Sequence, residues 1–190
     1  MNSIKQIEVL LADRLVGRLA LTKEGLCAFE YAPDWLGSGF SISPFELPLR
    51  SGVFIAKPRP FEGGFGVFDD CLPDGWGLLI LDRYLQQKGI NPRALTLLDR
   101  LALVGSSGRG ALEFRPDHSV VTRQDYADFE KLALEAERIL DSDEYKGEGI
   151  EEFQDRGGSP GGARPKIFAR YEGKEWLVKF RAKRDPQSIG

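Results

Sequence analysis

Apolar and polar residues alternate along the first third of the chain, which is the pattern of half-buried β-strands. Asp13-Arg14 separates the first two alternating segments, and Glu24-Gly25, a favourable turn pair, precedes the third. The alternation therefore predicts a three-stranded antiparallel meander, followed by one more short strand. The predicted strands are residues 7–13, 15–21, 26–31 and 53–57.

Helical spacing replaces the alternation after Pro73. Trp76, Ile80 and Tyr84 share one helical face, so a helix is predicted between Asp74 as N-cap and Gly89 as its end. A second helix is predicted from the Asn91 cap to Gly105, a strand at residues 109–114, and an amphipathic helix at residues 122–140. Residues 141–149 are polar and are interpreted as a linker.

The last part of the chain combines a glycine-rich loop with an apparent β-hairpin. The loop, GGSPGG, spans residues 157–162, and the segments KIFARY and KEWLVKF flank the turn pair Glu172-Gly173. Leu177 and Lys179 fall on one face of the second strand, opposite to Val178. Together the patterns predict an α+β fold, with an N-terminal antiparallel meander and helices followed by this loop and hairpin.

Composition narrows the classes of function. The 190 residues are 42% hydrophobic, with no run near the roughly 20 apolar residues of a membrane helix and no secretory leader. His118 is the only histidine, which nearly excludes Ser-His-Asp catalysis and histidine-based metal sites. Cys27 and Cys71 lie far apart and are predicted to be free thiols. We therefore expect a cytoplasmic protein without a metal site or membrane contact.

Charge is unevenly distributed. Residues 153–190 hold nine Lys/Arg against four Asp/Glu, whereas residues 1–152 hold seventeen against twenty-five. A basic segment beside a glycine-rich loop would suit a phosphate ligand, although on charge alone a solvated tail is the simpler interpretation. Direct nucleic-acid binding is disfavoured because the first part is acidic and aromatic residues do not interleave with basic ones.

The glycine-rich loop leaves two interpretations open. Glycines let backbone N–H groups approach a phosphate closely, but the sequence matches neither the P-loop nor the protein-kinase glycine motif, so spacing alone favours a linker. The context favours a nucleotide loop, because a strand, a tight turn and a strand bearing Lys179 follow it. Protein kinases place a lysine in this way to reach the phosphates of ATP.

Four segments resemble the family of HipA-type toxins, and they occur along the chain in the same order as in that family. The most specific is the last one, GGSPGGARPK (157–166) with WLVKF (176–180) after it, which is similar to the start of the family's kinase region. The three weaker segments are WLGSGFSISPFELPL (35–49), FDDCLPDGWG (68–77) and LVGSSGRGAL (103–112), and they depart from the family pattern at residues 69–71 and 106–107.

The resemblance implies a serine/threonine kinase with a lipid-kinase-like fold, acting as the toxin of a type II toxin–antitoxin pair. Its expected partners are a HipB-like helix-turn-helix antitoxin, DNA only through that antitoxin, and a translation-related protein substrate such as an aminoacyl-tRNA synthetase. It also implies autophosphorylation of Ser159. The ATP-binding residues carried over by the resemblance are Gly161, Gly162, Ala163, Arg164 and Lys179.

The same resemblance predicts three regions: a HipA-type N-terminal subdomain at residues 1–115, a connecting helix and linker at 116–150, and the beginning of a kinase N-lobe at 151–190.

Only 24 residues follow Lys166, and Asp185 is the sole carboxylate after the hairpin. A kinase also needs an aspartate for the attacking hydroxyl and a set that holds Mg²⁺. We therefore expect no catalytic or metal-binding residue here, no phosphate transfer by these residues alone, and ATP and Mg²⁺ only in a complete kinase. The alternative is a non-catalytic interaction or antitoxin-like module derived from the N-terminal subdomain.

Overall fold

A computed structural model describes residues 3–108, 110–119, 129–141, 147, 149–156 and 162–181. Over these ranges the chain is mixed α and β, as predicted, and divides into two compact units. The first unit comprises residues 1–72 and 94–119, and the second comprises residues 73–93 and 120–190. The second unit thus includes residues 73–93, inside the predicted N-terminal subdomain; the three predicted regions stay a prediction.

The first unit is built on a five-stranded sheet in which every neighbouring pair is antiparallel, in the order β4-β3-β2-β1-β5. Its strands are β1 (Gln6–Leu11), β2 (Arg14–Leu21), β3 (Cys27–Tyr31), β4 (Val53–Ile55) and β5 (Leu112–Arg115). The predicted meander is therefore confirmed. The first turn lies one residue earlier than predicted, because Ala12 and Asp13 adopt the positive φ values of 48° and 61° that a two-residue hairpin turn requires.

Alternation along these strands separates a core face from a charged face. Val9, Leu19, Phe29 and Phe114 are at most 1% exposed and pack with α4 (Leu97–Val104) in one core. On the opposite face the strand register aligns alternating charges, and Arg18 forms a 3.1 Å ion pair with Glu8. That row of paired residues is Glu30, Arg18, Glu8 and Arg115.

The helix predicted to begin at the Asn91 cap begins later in the structure. Instead of a continuous helix from Asn91 to Gly105, the chain makes a 3₁₀ turn at Pro92–Ala94 and then begins α4 at Leu97. Thr96 is the cap, because its hydroxyl accepts a hydrogen bond from the Asp99 N–H while the Asp99 carboxylate accepts one from the Thr96 N–H. This reciprocal pair starts a new helix that ends at Gly105, as predicted.

The second unit packs three helices against a two-stranded sheet. Its elements are α3 (Gly75–Gln87), α5 (Phe129–Asp141), α6 (Gly149–Arg156), β6 (Lys166–Tyr171) and β7 (Lys174–Lys179). The first unit also carries the short helices α1 (Pro33–Ser38) and α2 (Gly66–Asp69). The hairpin turn falls at Glu172-Gly173, as predicted, with φ values of 51° and 74°. Helix α6 was not predicted, and residues 122–128 of the predicted amphipathic helix lie outside the described residues.

One face of the hairpin closes the core of the second unit. Ile167 and Ala169 of β6 are buried in the same cluster as Trp76 of α3 and Phe153 of α6. Trp76 and Phe153 meet edge to face, with ring centroids 5.2 Å apart. Because side chains alternate along a strand, the residues between these buried positions lie on the other face of the hairpin, where the candidate site is found.

Candidate functional site

Two lysines face each other at the open end of the hairpin. The register pairs Lys166, the first residue of β6, with Lys179, the last residue of β7. Cross-strand partners lie on the same face, so the two ammonium groups share one side of the sheet. Lys179 is exposed, whereas Lys166 is only 5% exposed.

The position of Lys166 perturbs its titration. Burial lowers the pKa of Lys166 below its ordinary value, the positive charge of Lys179 lowers it further, and the carboxylate of Asp74 opposes both effects. Two like charges placed directly opposite each other destabilise a strand pair. An anion between the lysines would remove that repulsion.

The loop residue Gly162 is held against the start of α3. Its N–H donates to the Asp74 carboxylate, at 3.1 Å from Oδ1 and 3.3 Å from Oδ2. Its carbonyl oxygen accepts from the Trp76 N–H at 3.1 Å and from the Lys166 ammonium at 3.2 Å. The peptide groups of Gly162 are thus fixed on both sides, and Lys166 is fixed to the same residue.

Asp74 occupies the predicted N-cap position, but its side chain makes no capping hydrogen bond to α3. Its carboxylate accepts the hydrogen bond from the Gly162 N–H instead. Gly75, the next residue, has φ +45°, and a Cβ atom added there would lie 2.6 Å from the carbonyl carbon and oxygen of Gly162. A side chain at position 75 could therefore not coexist with this contact.

The structure brings some of the predicted site residues together. Gly162, Ala163 and Arg164 form an exposed bend that leads into β6. Lys166, the first residue of β6, follows this bend closely in the chain, and its strand partner is Lys179. Ser159 and Gly161 lie outside the described residues. The nucleotide-binding roles assigned to these residues stay predictions.

Lys166 and Asp74 were not predicted as site residues from the sequence. Lys166 is the last residue of the GGARPK segment, and its register partner follows from counting back from the Glu172-Gly173 turn, so the facing lysines could have been predicted. Asp74 gave no such signal, because its partner Gly162 lies 88 residues away along the chain.

Other site classes find little support among the described residues. No group of three or more His, Cys, Asp or Glu side chains in those ranges could hold a metal ion. Within the same ranges, no helix has the length and apolar character that crossing a membrane requires. Cys27 and Cys71 are free thiols, as predicted, and burial raises the pKa of each to about 11, with the charge of Asp70 adding to the effect at Cys71.

Comparison with protein families gives a match that spans most of the first unit and also residues 73–93, which belong to the second unit. The model of the HipA N-terminal domain matches residues 7–115, or 109 of the 190 residues. The matched range contains Asp74 and Gly75 but not the loop and hairpin. Because the match covers more than half of the chain, the protein belongs to the HipA family and carries its N-terminal domain.

Proposed function

We propose that this chain is the N-terminal portion of a HipA-type serine/threonine kinase, and that its glycine-rich loop and facing lysines contact the phosphates of ATP. This proposal departs from the expectation that only a complete kinase binds ATP, because it has the 190-residue chain bind ATP weakly by itself. In this proposal the glycine content of the loop would let backbone N–H groups approach a phosphate, and Lys166, Lys179 and Arg164 supply positive charge after the end of the loop at Gly162. Backbone N–H groups and flexible ammonium groups are the protein groups that hold phosphates in many nucleotide sites.

The observation that carries the proposal is the pairing of Lys166 with Lys179. Burial and the charge of Lys179 lower the pKa of Lys166, and the Asp74 carboxylate opposes these effects without outweighing them. A bound phosphate would favour the charged form of both side chains.

The same hairpin face continues in a way that suits a nucleotide. Next to the lysine pair, Phe168 of β6 is paired with Leu177 of β7, and Leu177 is 43% exposed. A partly exposed apolar pair beside a cationic pair matches the order of a nucleotide, whose flat base adjoins its charged phosphates. This order supports ATP over free inorganic phosphate as the ligand.

Mg²⁺ would accompany ATP in the complete kinase, but the residues described here do not fit it, since none of their carboxylates form a suitable set. No step involving Mg²⁺ is assigned to them. Two partners are proposed from membership of the family. One is a translation-related protein substrate such as an aminoacyl-tRNA synthetase, and the other is a HipB-like antitoxin that links the protein indirectly to DNA.

Removing Lys179 tests the lysine pair. We expect Lys179→Ala to weaken ATP binding about tenfold or more, the usual effect of losing a charge-assisted hydrogen bond. Lys174→Ala is the matched control, because Lys174 lies on the same strand but on the opposite face and is also exposed. Low-affinity isothermal titration calorimetry, at millimolar ATP, measures both. Equal affinities for the two variants would contradict the proposed site.

Ser159 is proposed as the autophosphorylation switch of the loop. A phosphate of nearly two negative charges there would repel ATP and compete for the same cations. In the same titration, Ser159→Glu should therefore bind ATP several-fold more weakly than Ser159→Ala. If the two variants bind ATP equally, this regulatory role is wrong, whereas the lysine site could still stand.

A non-catalytic interaction module is the second candidate, and exposed apolar residues of the first unit favour it. Phe45 is 99% exposed, and Val53 and Ile55 of β4 are 54% and 52% exposed. Val53 and Ile55 are two residues apart on the edge strand β4 and so share one face, and exposed apolar neighbours of this kind are typical of protein interfaces. If the wild-type chain shows no binding of ATP, and Lys179→Ala changes nothing, the interaction module becomes the better interpretation.

A further inference from the structure

The start of α3 and the end of the glycine-rich loop cap each other. The Asp74 carboxylate accepts the Gly162 N–H, and the Gly162 carbonyl oxygen accepts the Trp76 N–H. A helix N-terminus leaves its first N–H groups without intrahelical partners, and a capping residue usually satisfies them from within the same segment. Here the partner of the Trp76 N–H is Gly162, which lies 88 residues from Asp74 along the chain, so one pair of exchanged hydrogen bonds joins the two segments.

Gly75 makes this contact sterically possible. Its φ of +45° is unfavourable for a residue with a side chain, and an added Cβ would overlap the carbonyl group of Gly162 at 2.6 Å and approach the Ala163 nitrogen at 2.9 Å. Gly89, at the other end of α3, also has a positive φ of +74°, but nothing lies within 4 Å of its Cβ position. Only Gly75 therefore combines backbone strain with close approach of the loop.

The contact also determines where Lys166 lies. The Lys166 ammonium donates to the same Gly162 carbonyl oxygen, at 3.2 Å, and the Asp74 carboxylate raises the pKa of Lys166 against burial and the charge of Lys179. Any displacement of Gly162 from α3 would move the hydrogen-bond acceptor that holds this lysine.

We infer that Asp74 and Gly75 are positioning residues, which hold Gly162 against the start of α3 and thereby hold Lys166 at the end of the glycine-rich loop. This contact of Gly162 with Asp74, Gly75 and Trp76 is called the seat. The seat itself rests on the geometry alone, and its consequence for ATP rests on the proposed function. A loop end that is already fixed loses less conformational freedom when a ligand binds, so the seat favours binding by preorganisation.

The test compares Gly75→Ala with Gly89→Ala. Both substitutions place alanine at a positive φ, so both should lower the urea midpoint, and Gly75→Ala should lower it more because the contact with Gly162 is also lost. Only Gly75→Ala should release the loop. We expect hydrogen exchange of the Gly162 amide, followed by NMR, to be about tenfold faster in Gly75→Ala and within about twofold of wild type in Gly89→Ala. Equal exchange in the two variants would overturn the inference.

A second pair of variants keeps the test decisive if Gly75→Ala fails to fold. Asp74→Ala should speed exchange of the Gly162 amide, and Asp74→Asn should restore most of the protection because its carboxamide oxygen also accepts a hydrogen bond. Asp74→Asn should nevertheless lower the pKa of Lys166, measured by NMR, since the opposing negative charge is lost. No rescue by asparagine, or an unchanged pKa of Lys166, would contradict the assignment of Asp74.

ATP titration of the same variants separates this inference from the proposed function. Weaker ATP binding by Gly75→Ala than by Gly89→Ala would support both. If wild type binds no ATP while the exchange results come out as expected, the proposed function fails and the seat remains. If ATP binding is strong and equal in all variants, the seat has no role in binding the ligand.

Discussion

Asp99 shows how one buried carboxylate can join two distant parts of the chain. It is 3% exposed and accepts hydrogen bonds from the Thr96 N–H, the Thr96 hydroxyl and the Ile4 N–H, at 3.0, 2.7 and 3.0 Å. Burial acts to raise its pKa, but the bonds from Ile4 and Thr96, helped by the charge of His118, outweigh burial and lower it. The charged form is therefore the one that stabilises the start of α4.

This pKa shift gives a prediction for the pH dependence of stability. The pKa of Asp99 is lower in the folded than in the unfolded state, where it is about 3.9, so the unfolded state binds more protons in the window between the two values. The stabilisation from Asp99 is complete above the unfolded value and is lost as pH falls through the folded value. We expect Asp99→Asn to lower the urea midpoint more at pH 6 than at pH 3.

Asp34 provides the matched control, because it lies in the first turn of α1 and is exposed. Asp34→Asn should change the free energy of unfolding by less than about 0.5 kcal/mol at either pH. An Asp99→Asn effect that is equally large at pH 3 and pH 6 would show that shape, rather than the charge on Asp99, stabilises this helix start.

At the scale of elements, the sequence predicted what local patterns determine. Alternation in residues 7–31 was sufficient for the meander, because half-buried strands show their two faces directly in the sequence. The Glu172-Gly173 turn was sufficient for the hairpin, whereas the register that places Lys179 opposite Lys166 was not predicted, although it follows from counting back from that turn. These features need no knowledge of distant residues.

The features that the sequence did not reveal depend on competition or on distance. Asn91 and Thr96 are both good caps, and the Asp99 carboxylate decides in favour of Thr96 by completing the reciprocal pair. Helix α6 has only eight residues and two apolar positions, Ile150 and Phe153, which are too few to establish a helical period from the sequence. Asp74 was read as a cap for its own helix, whereas its hydrogen-bond partner is contributed by the glycine-rich loop.

At the scale of the whole molecule, family membership and the candidate site concern different parts of the chain. The match to the HipA N-terminal domain ends at residue 115, and the facing lysines lie in the basic segment after residue 152. The proposed ATP contact therefore depends on the geometry of the hairpin and not on the family match alone. That separation is why a direct observation of the lysines is needed.

The most direct measurement follows the lysine side chains by NMR while ATP is added to the 190-residue protein. If the two lysines contact the phosphates of ATP, the ε-CH₂ signals of Lys166 and Lys179 should shift with increasing ATP. The pKa of Lys166 should also rise, because a nearby anion favours the charged ammonium. The signal of Lys174, on the opposite face, should not follow. Shifts that are equal for all three lysines, or absent at Lys166 and Lys179, would contradict the account.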